Sequence, residues 1–108
     1  MKMFLTILGL FISTLCFSQI QVIQFNANWN NANSVTWLNK LSDCKTGQVD
    51  IVTDKASQAK YKIIVVPTII VFNQGEEIKR YQANIMMQID AKLEDIQTVV
   101  DETVMESF

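Results

Sequence analysis

Residues Ile63-Ile64-Val65-Val66-Pro67-Thr68-Ile69-Ile70-Val71-Phe72 carry no charge and a single hydroxyl. A stretch that is apolar at both odd and even positions reads as a strand buried on both sides. Such a strand forces other elements onto each face of its sheet. Pro67 sets where the strand begins, because proline has no N–H for the ladder and marks a strand's start rather than its middle. Asn73-Gln74-Gly75-Glu76 follows as a hairpin turn. Glu77 to Tyr81 is the partner strand, alternating Ile78 against Lys79 and Arg80 against Tyr81.

The rest of the chain supplies the layers. Ile20 to Phe25 is a first strand rich in β-branched residues, interrupted by Gln21 and Gln24. An asparagine-rich loop, Asn26 to Asn33, comes next. Asn33 or Ser34 caps a helix whose inward residues are Val35, Leu38, Leu41 and Cys44, ending near Lys45-Thr46-Gly47, with Trp37 flanking the stripe. Val49 to Val52 is a second short strand. Asp54 caps a short helix from Lys55 to Tyr61. Asn84 caps a final helix with Ile85, Ile89, Leu93, Ile96 and Val100 on one face, its tail fraying beyond about Glu102. The order β-α-β-(α)-β-β-α predicts an α/β sandwich, a central mixed four-stranded sheet with helices on both faces.

The first 18 residues read differently. A basic start at Lys2, an apolar core from Phe4 to Ile12 and a cut after Ser18 describe a secretory signal. The expected division is therefore a signal peptide over 1–18 and one domain over 19–108, exported to the periplasm or secreted. The alternatives are a buried N-terminal element or an uncleaved anchor. Cleavage removes Cys16 and leaves Cys44 unpaired, expected as a small buried hydrophobe. It also leaves no stable membrane span.

The inventory excludes much chemistry. The chain has no histidine, so Ser-His-Asp and Cys-His arrangements and imidazole metal sites are ruled out. Asp43, Asp50 and Asp54 are scattered rather than paired. No basic stripe suits nucleic acid. No cofactor or metal is expected.

Three segments together resemble the thioredoxin superfamily across nearly all of residues 19–108. Val22-Ile23-Gln24-Phe25-Asn26-Ala27-Asn28-Trp29 looks like the strand and turn leading into the family's Cys-x-x-Cys. Lys60 to Thr68, followed by Ile69-Ile70-Val71-Phe72, resembles the approach to its cis-proline and the next strand. Asn73-Gln74-Gly75-Glu76-Glu77 resembles its hairpin. The family's N-terminal strand and helix are missing, which makes this a minimal version of the fold.

The resemblance places the two active-site cysteines on Asn30 and Asn33, and the buried acid of the first strand on Gln24. Thiol-disulfide exchange needs an attacking thiolate and a resolving sulfur, and an amide supplies neither. The resemblance implies a redox-inactive protein that keeps a peptide groove lined by Trp29, Asn31, Val66 and Pro67. An extended peptide or partner protein would pair there by strand addition to the exposed Val66 backbone. The asparagines are either a recognition rim or capping amides facing water, and Trp29 either a contact platform or a lid on the core. Two other roles stay open: a degenerate oxidoreductase working through Cys44, or an assembly subunit without a groove ligand.

Overall fold

The computed structural model describes residues 19–107. Residues 1–18, where a signal segment with a cut after Ser18 is expected, and Phe108 lie outside the described residues. Strands β1 (Ile20–Asn26), β2 (Lys45–Asp50), β3 (Thr68–Asn73) and β4 (Glu76–Gln82) form one sheet in the order β2-β1-β3-β4. β1 runs parallel to β2 and antiparallel to β3, and β3 is antiparallel to β4. The sheet is thus the mixed four-stranded one expected, with α1 (Lys55–Lys60) and α2 (Leu93–Glu106) as its α-helices.

The apolar run behaves as its composition dictates. Ile69 and Val71 enter one core with Ile20, Val22, Leu38, Leu41, Ile96 and Val100. Ile70 and Phe72 enter the other, with Phe25, Ile51, Ile63 and Val66. Alternation along β3 therefore serves two cores, and each fully buried side chain contributes about 1.5–3 kcal/mol. Helix α2 covers the first face through Ile96 and Val100. Tyr61, at the end of α1, covers the second, its ring 5.3 Å from Phe25 and 5.2 Å from Phe72 between centroids. Arg80 of β4 closes this corner, donating to the carbonyls of Tyr61 (2.7 Å) and Lys62 (3.1 Å) while paired with Glu77. β3 begins at Thr68, directly after Pro67, and the Val66–Pro67 peptide is cis. Gln74 and Gly75 both have positive φ, the pattern of a two-residue type I′ hairpin.

Four expectations need correction. The helix expected from Asn33 or Ser34 to Gly47 does not form. Residues 27–44 instead cross from β1 to β2 through 3-10 turns at Asn28–Asn33 and Leu38–Lys40. Of the expected inward stripe only Leu38 falls in a 3-10 turn, and Val35, Leu41 and Cys44 lie on the irregular links around it. Val35, Leu38, Leu41 and Cys44 do pack on the α2 core. The local sequence, rich in Asn, Ser and Thr, favours side-chain bonds to backbone over an α-helix. The second strand lies at Lys45–Asp50 rather than Val49–Val52, because the shorter crossover lets the chain re-enter the sheet earlier.

The last helix starts at Leu93, not beside Asn84. The Asn84 side chain instead accepts from the N–H groups of Met86 (2.8 Å) and Gln88 (3.2 Å), and Met87 takes a positive φ. That turn diverts the helix. α2 begins where Asp95 reaches back to the Lys92 N–H at 2.7 Å, a bond that an acid at the third helical position makes well. Its tail stays helical to Glu106 because Val100 and Thr103 are buried and hold the last turns. The Asp54 cap is as expected, its carboxylate accepting from the Ser57 N–H at 3.1 Å.

Candidate functional site

The site is built where the crossover leaves β1. Two glutamines hold that crossover in place of a helix. Gln24, fully buried, accepts from the Val35 N–H at 2.8 Å and donates to the Val35 carbonyl at 3.1 Å. Its amide thus pairs with a peptide unit as a neighbouring strand would. Gln97 of α2 repeats the device at Ser42, accepting at 2.9 Å and donating at 3.1 Å. Gln24 occupies the position the resemblance gives to a buried acid. A carboxylate there could accept from Val35 but could not donate to its carbonyl.

The asparagines form a connected network. Asn26 Nδ2 donates to the Asn30 carbonyl (3.1 Å) and to Ser34 Oγ (2.8 Å). Its Oδ1 accepts from the Ala27 N–H (2.9 Å) and from Asn30 Nδ2 (3.2 Å). Asn33 Nδ2 donates to Asn30 Oδ1 at 2.8 Å. Asn30 Nδ2 also reaches the Val66 carbonyl at 3.4 Å. The two positions that the resemblance assigns to cysteines are therefore in contact, as a redox pair would be. They touch through amides that neither ionise nor carry electrons.

The loop is only half an exposed rim. Asn26 and Asn30 are buried, and Asn28 and Asn31 are exposed. Among the described residues no buried side-chain nitrogen or oxygen lacks a partner. The network is satisfied within the fold, which makes it a structural lock.

Beside the lock lies an open groove of roughly 370 Å³, lined by Trp29, Ile64, Val65, Val66, Ile85 and Met87 among others, none of them charged. Trp29 is 66 % exposed, so it is no lid on the core. Val66 forms the floor at 7 % exposure, with its carbonyl facing Asn30. Pro67 is buried behind it, and Asn31 lies outside this groove, on a small polar pocket with Gln24, Asn26 and Asp50. Sequence reasoning missed the contribution of the 84–88 turn. Its signal was the Ile85-Met86-Met87 triplet directly after a turn-forming asparagine.

Cys44 is half-buried against the α2 core. Burial, and then Asp43 and Asp101, push its thiol pKa up. A thiolate is disfavoured there, the reverse of a reactive cysteine. In the folded chain, alkylation of Cys44 near pH 8 should be several-fold slower than in the denatured chain. It should accelerate as pH rises, and stability should fall in the same range because the raised pKa favours the neutral form. Equal alkylation rates in the two states would contradict this. Among the described residues no group of His, Cys, Asp and Glu could hold a metal, and no helix is long and apolar enough to cross a membrane.

Neither a protein-family model nor a curated protein matches the chain. Solved structures do. An N21Q mutant thioredoxin from Halobacterium salinarum aligns over 81 % of this chain and 76 % of its own, with a TM-score of 0.61 and 17 % identity. Fasciola hepatica thioredoxin aligns over 88 % and 89 %, with a TM-score of 0.57 and 20 % identity. Thioredoxin-2 of the malaria parasite aligns over 78 % and 82 %, with a TM-score of 0.61 and 18 % identity. At these identities the likeness establishes the fold, and the fold is thioredoxin-like.

Proposed function

We propose that this thioredoxin-like domain is a redox-inactive binding module of the cell envelope or secreted space. It takes an extended peptide or a segment of a partner protein in the groove beside Val66–Pro67. The observation that carries the reading is the pairing of inert amides at Asn30 and Asn33 with an open, uncharged groove beside them. Electron transfer has no carrier at this site, while the surface next to it still has the aromatic and aliphatic side chains that bind. Export rests on the character of residues 1–18.

The groove chemistry refines the mode of binding. With Val66 nearly covered, recognition comes chiefly from the exposed side chains that line the groove: Trp29, Ile64, Val65, Ile85 and Met87. Buried Trp contacts are frequent hot spots. A panel of extended apolar peptides should bind with a blue shift of Trp29 emission. Trp29→Ala should weaken binding about 30-fold or more while stability moves by less than about 0.5 kcal/mol, since the side chain is mostly exposed. A panel that binds equally well to Trp29→Ala would remove the groove from this reading.

The alternative, residual oxidoreductase chemistry through Cys44, runs against the raised thiol pKa and half-buried position. In an insulin-reduction assay the protein should show no turnover above buffer, unchanged by Cys44→Ser. Turnover abolished by that substitution would replace the binding reading with the oxidoreductase one.

A further inference from the structure

The sheet reaches back to the expected cut. Ile20 is 3 % exposed and pairs with Asn73 of β3. Gln19, just before it, is half-buried, and its carbonyl accepts from the Gln74 N–H at 3.0 Å. Gln74 lies in the turn between β3 and β4. A cut after Ser18 therefore leaves a chain that the fold holds from its first carbonyl onward, and that first residue is a glutamine. Glutamine at a free N-terminus has a reaction that few residues share. Its α-amine and its side-chain amide carbon stand at the spacing of a five-membered lactam, and carrying both groups on one residue makes their reaction unimolecular.

We propose that Gln19 is a modification site, and that the mature chain begins with pyroglutamate formed from it once the cut frees its amine. This rests on the export reading above and on nothing in the groove. The neutral α-amine nitrogen attacks Cδ of its own side chain. The N–Cδ bond forms, the Cδ–Nε2 bond breaks, and the amide nitrogen leaves as ammonia with a proton from the amine. No oxidant or reductant takes part. An α-amino pKa of about 7.7–8.0 keeps part of the amine neutral at ordinary pH. Two features of the fold suit the ring. It consists of N, Cα, Cβ, Cγ and Cδ of residue 19, whereas the carbonyl that Gln74 holds lies outside it. Closure thus leaves that hydrogen bond and the start of β1 in place. The ring also guards a strand that the sheet cannot spare. β1 stands between β2 and β3, and Ile20 and Val22 both enter the α2 core. An exopeptidase working from a free amine would remove the acceptor of the Gln74 N–H first and Ile20 next. A lactam offers such an enzyme no cationic amine, because the terminal charge is gone.

The test is mass spectrometry of the protein purified from its native compartment, combined with amine-reactive labelling of the N-terminus. The N-terminal peptide should begin at residue 19, weigh one ammonia less than its glutamine form, and take no label at the α-amine. A pyroglutamyl aminopeptidase applied to the denatured chain should remove that residue and leave Ile20 with an amine that labels. Gln19→Asn shortens the side chain by one methylene and cannot close the five-membered ring, so it should be cut at the same bond and take full label. A chain that begins at residue 19 with its glutamine intact overturns the proposal and leaves the export reading standing, as does a cut at another bond. A chain that still carries residues 1–18 overturns both. A blocked amine in Gln19→Asn overturns the proposal as well, since the block would then be a different group.

Discussion

Gln24→Ala should lower stability by about 3 kcal/mol, the largest effect expected of any single change at the site. The side chain is fully buried and makes both hydrogen bonds of the Val35 peptide unit. Each lost bond is worth about 1 kcal/mol, and truncating a buried side chain of this size leaves a cavity that adds to the loss. For a domain this small the melting temperature should fall by roughly 15 °C. Gln24→Glu separates the hydrogen bonding from the volume. A neutral carboxyl can accept from the Val35 N–H and donate to its carbonyl, as the amide does, whereas a carboxylate would face that carbonyl with no proton to give. Burial raises the folded pKa of such an acid. The variant should therefore be most stable below the ordinary carboxyl range near about pH 4.3, and lose stability as pH rises through the raised value. Thermal melts of both variants across pH test this. An unshifted midpoint in Gln24→Ala would mean that the clamp does not hold the crossover.

Asn26→Ala should cost about 2–3 kcal/mol and open the loop locally. Asn26 sits at the hub of the amide network, joining Ala27, Asn30 and Ser34 through four hydrogen bonds. Its removal strands one end of Asn30, which is itself buried. Asn26→Asp keeps the acceptor toward the Ala27 N–H and Asn30 Nδ2 but loses the donor toward the Asn30 carbonyl. It should therefore fall between wild type and alanine. Amide exchange should quicken in residues 27–34 in both variants and stay slow in β3, whose protection depends on the two cores. Uniform acceleration through β3 would show that the network serves global stability and not the loop in particular.

These two residues mark the limit of what the sequence discloses. Strands β1, β3 and β4 were legible from β-branched, alternating or unbroken apolar runs, as at Ile69 to Phe72, whereas β2, Lys45–Asp50, is largely exposed, carries no such pattern and was expected at Val49 to Val52. The hairpin was legible from Gln74-Gly75, and the Asp54 cap from its position before Lys55. The crossover was not. Val35, Leu38, Leu41 and Cys44 do face the core, but a spacing of three satisfied by 3-10 turns and extended links looks much like an abbreviated helical stripe. What replaces the helix is tertiary: glutamine amides from β1 and α2 meeting backbone eleven and fifty-five residues away in sequence. No local pattern encodes such partners. Ile85 fitted a helical repeat with Ile89 and Leu93, yet the Asn84 turn leaves it in solvent. At the site, the identity of the amides was legible from Asn30 and Asn33 alone. That Asn26 and Asn30 would be buried, and that Val66 would be floor rather than rim, required the fold.

The most direct measurement places a photo-crosslinking amino acid at position 29 of the chain in its native compartment, with a second at exposed Glu102 on α2 as the control. A discrete adduct is expected from position 29, mapped by mass spectrometry to an apolar extended segment of a partner, and none from position 102. Adducts from position 102 alone, or the same products from both positions, would contradict the proposed binding groove.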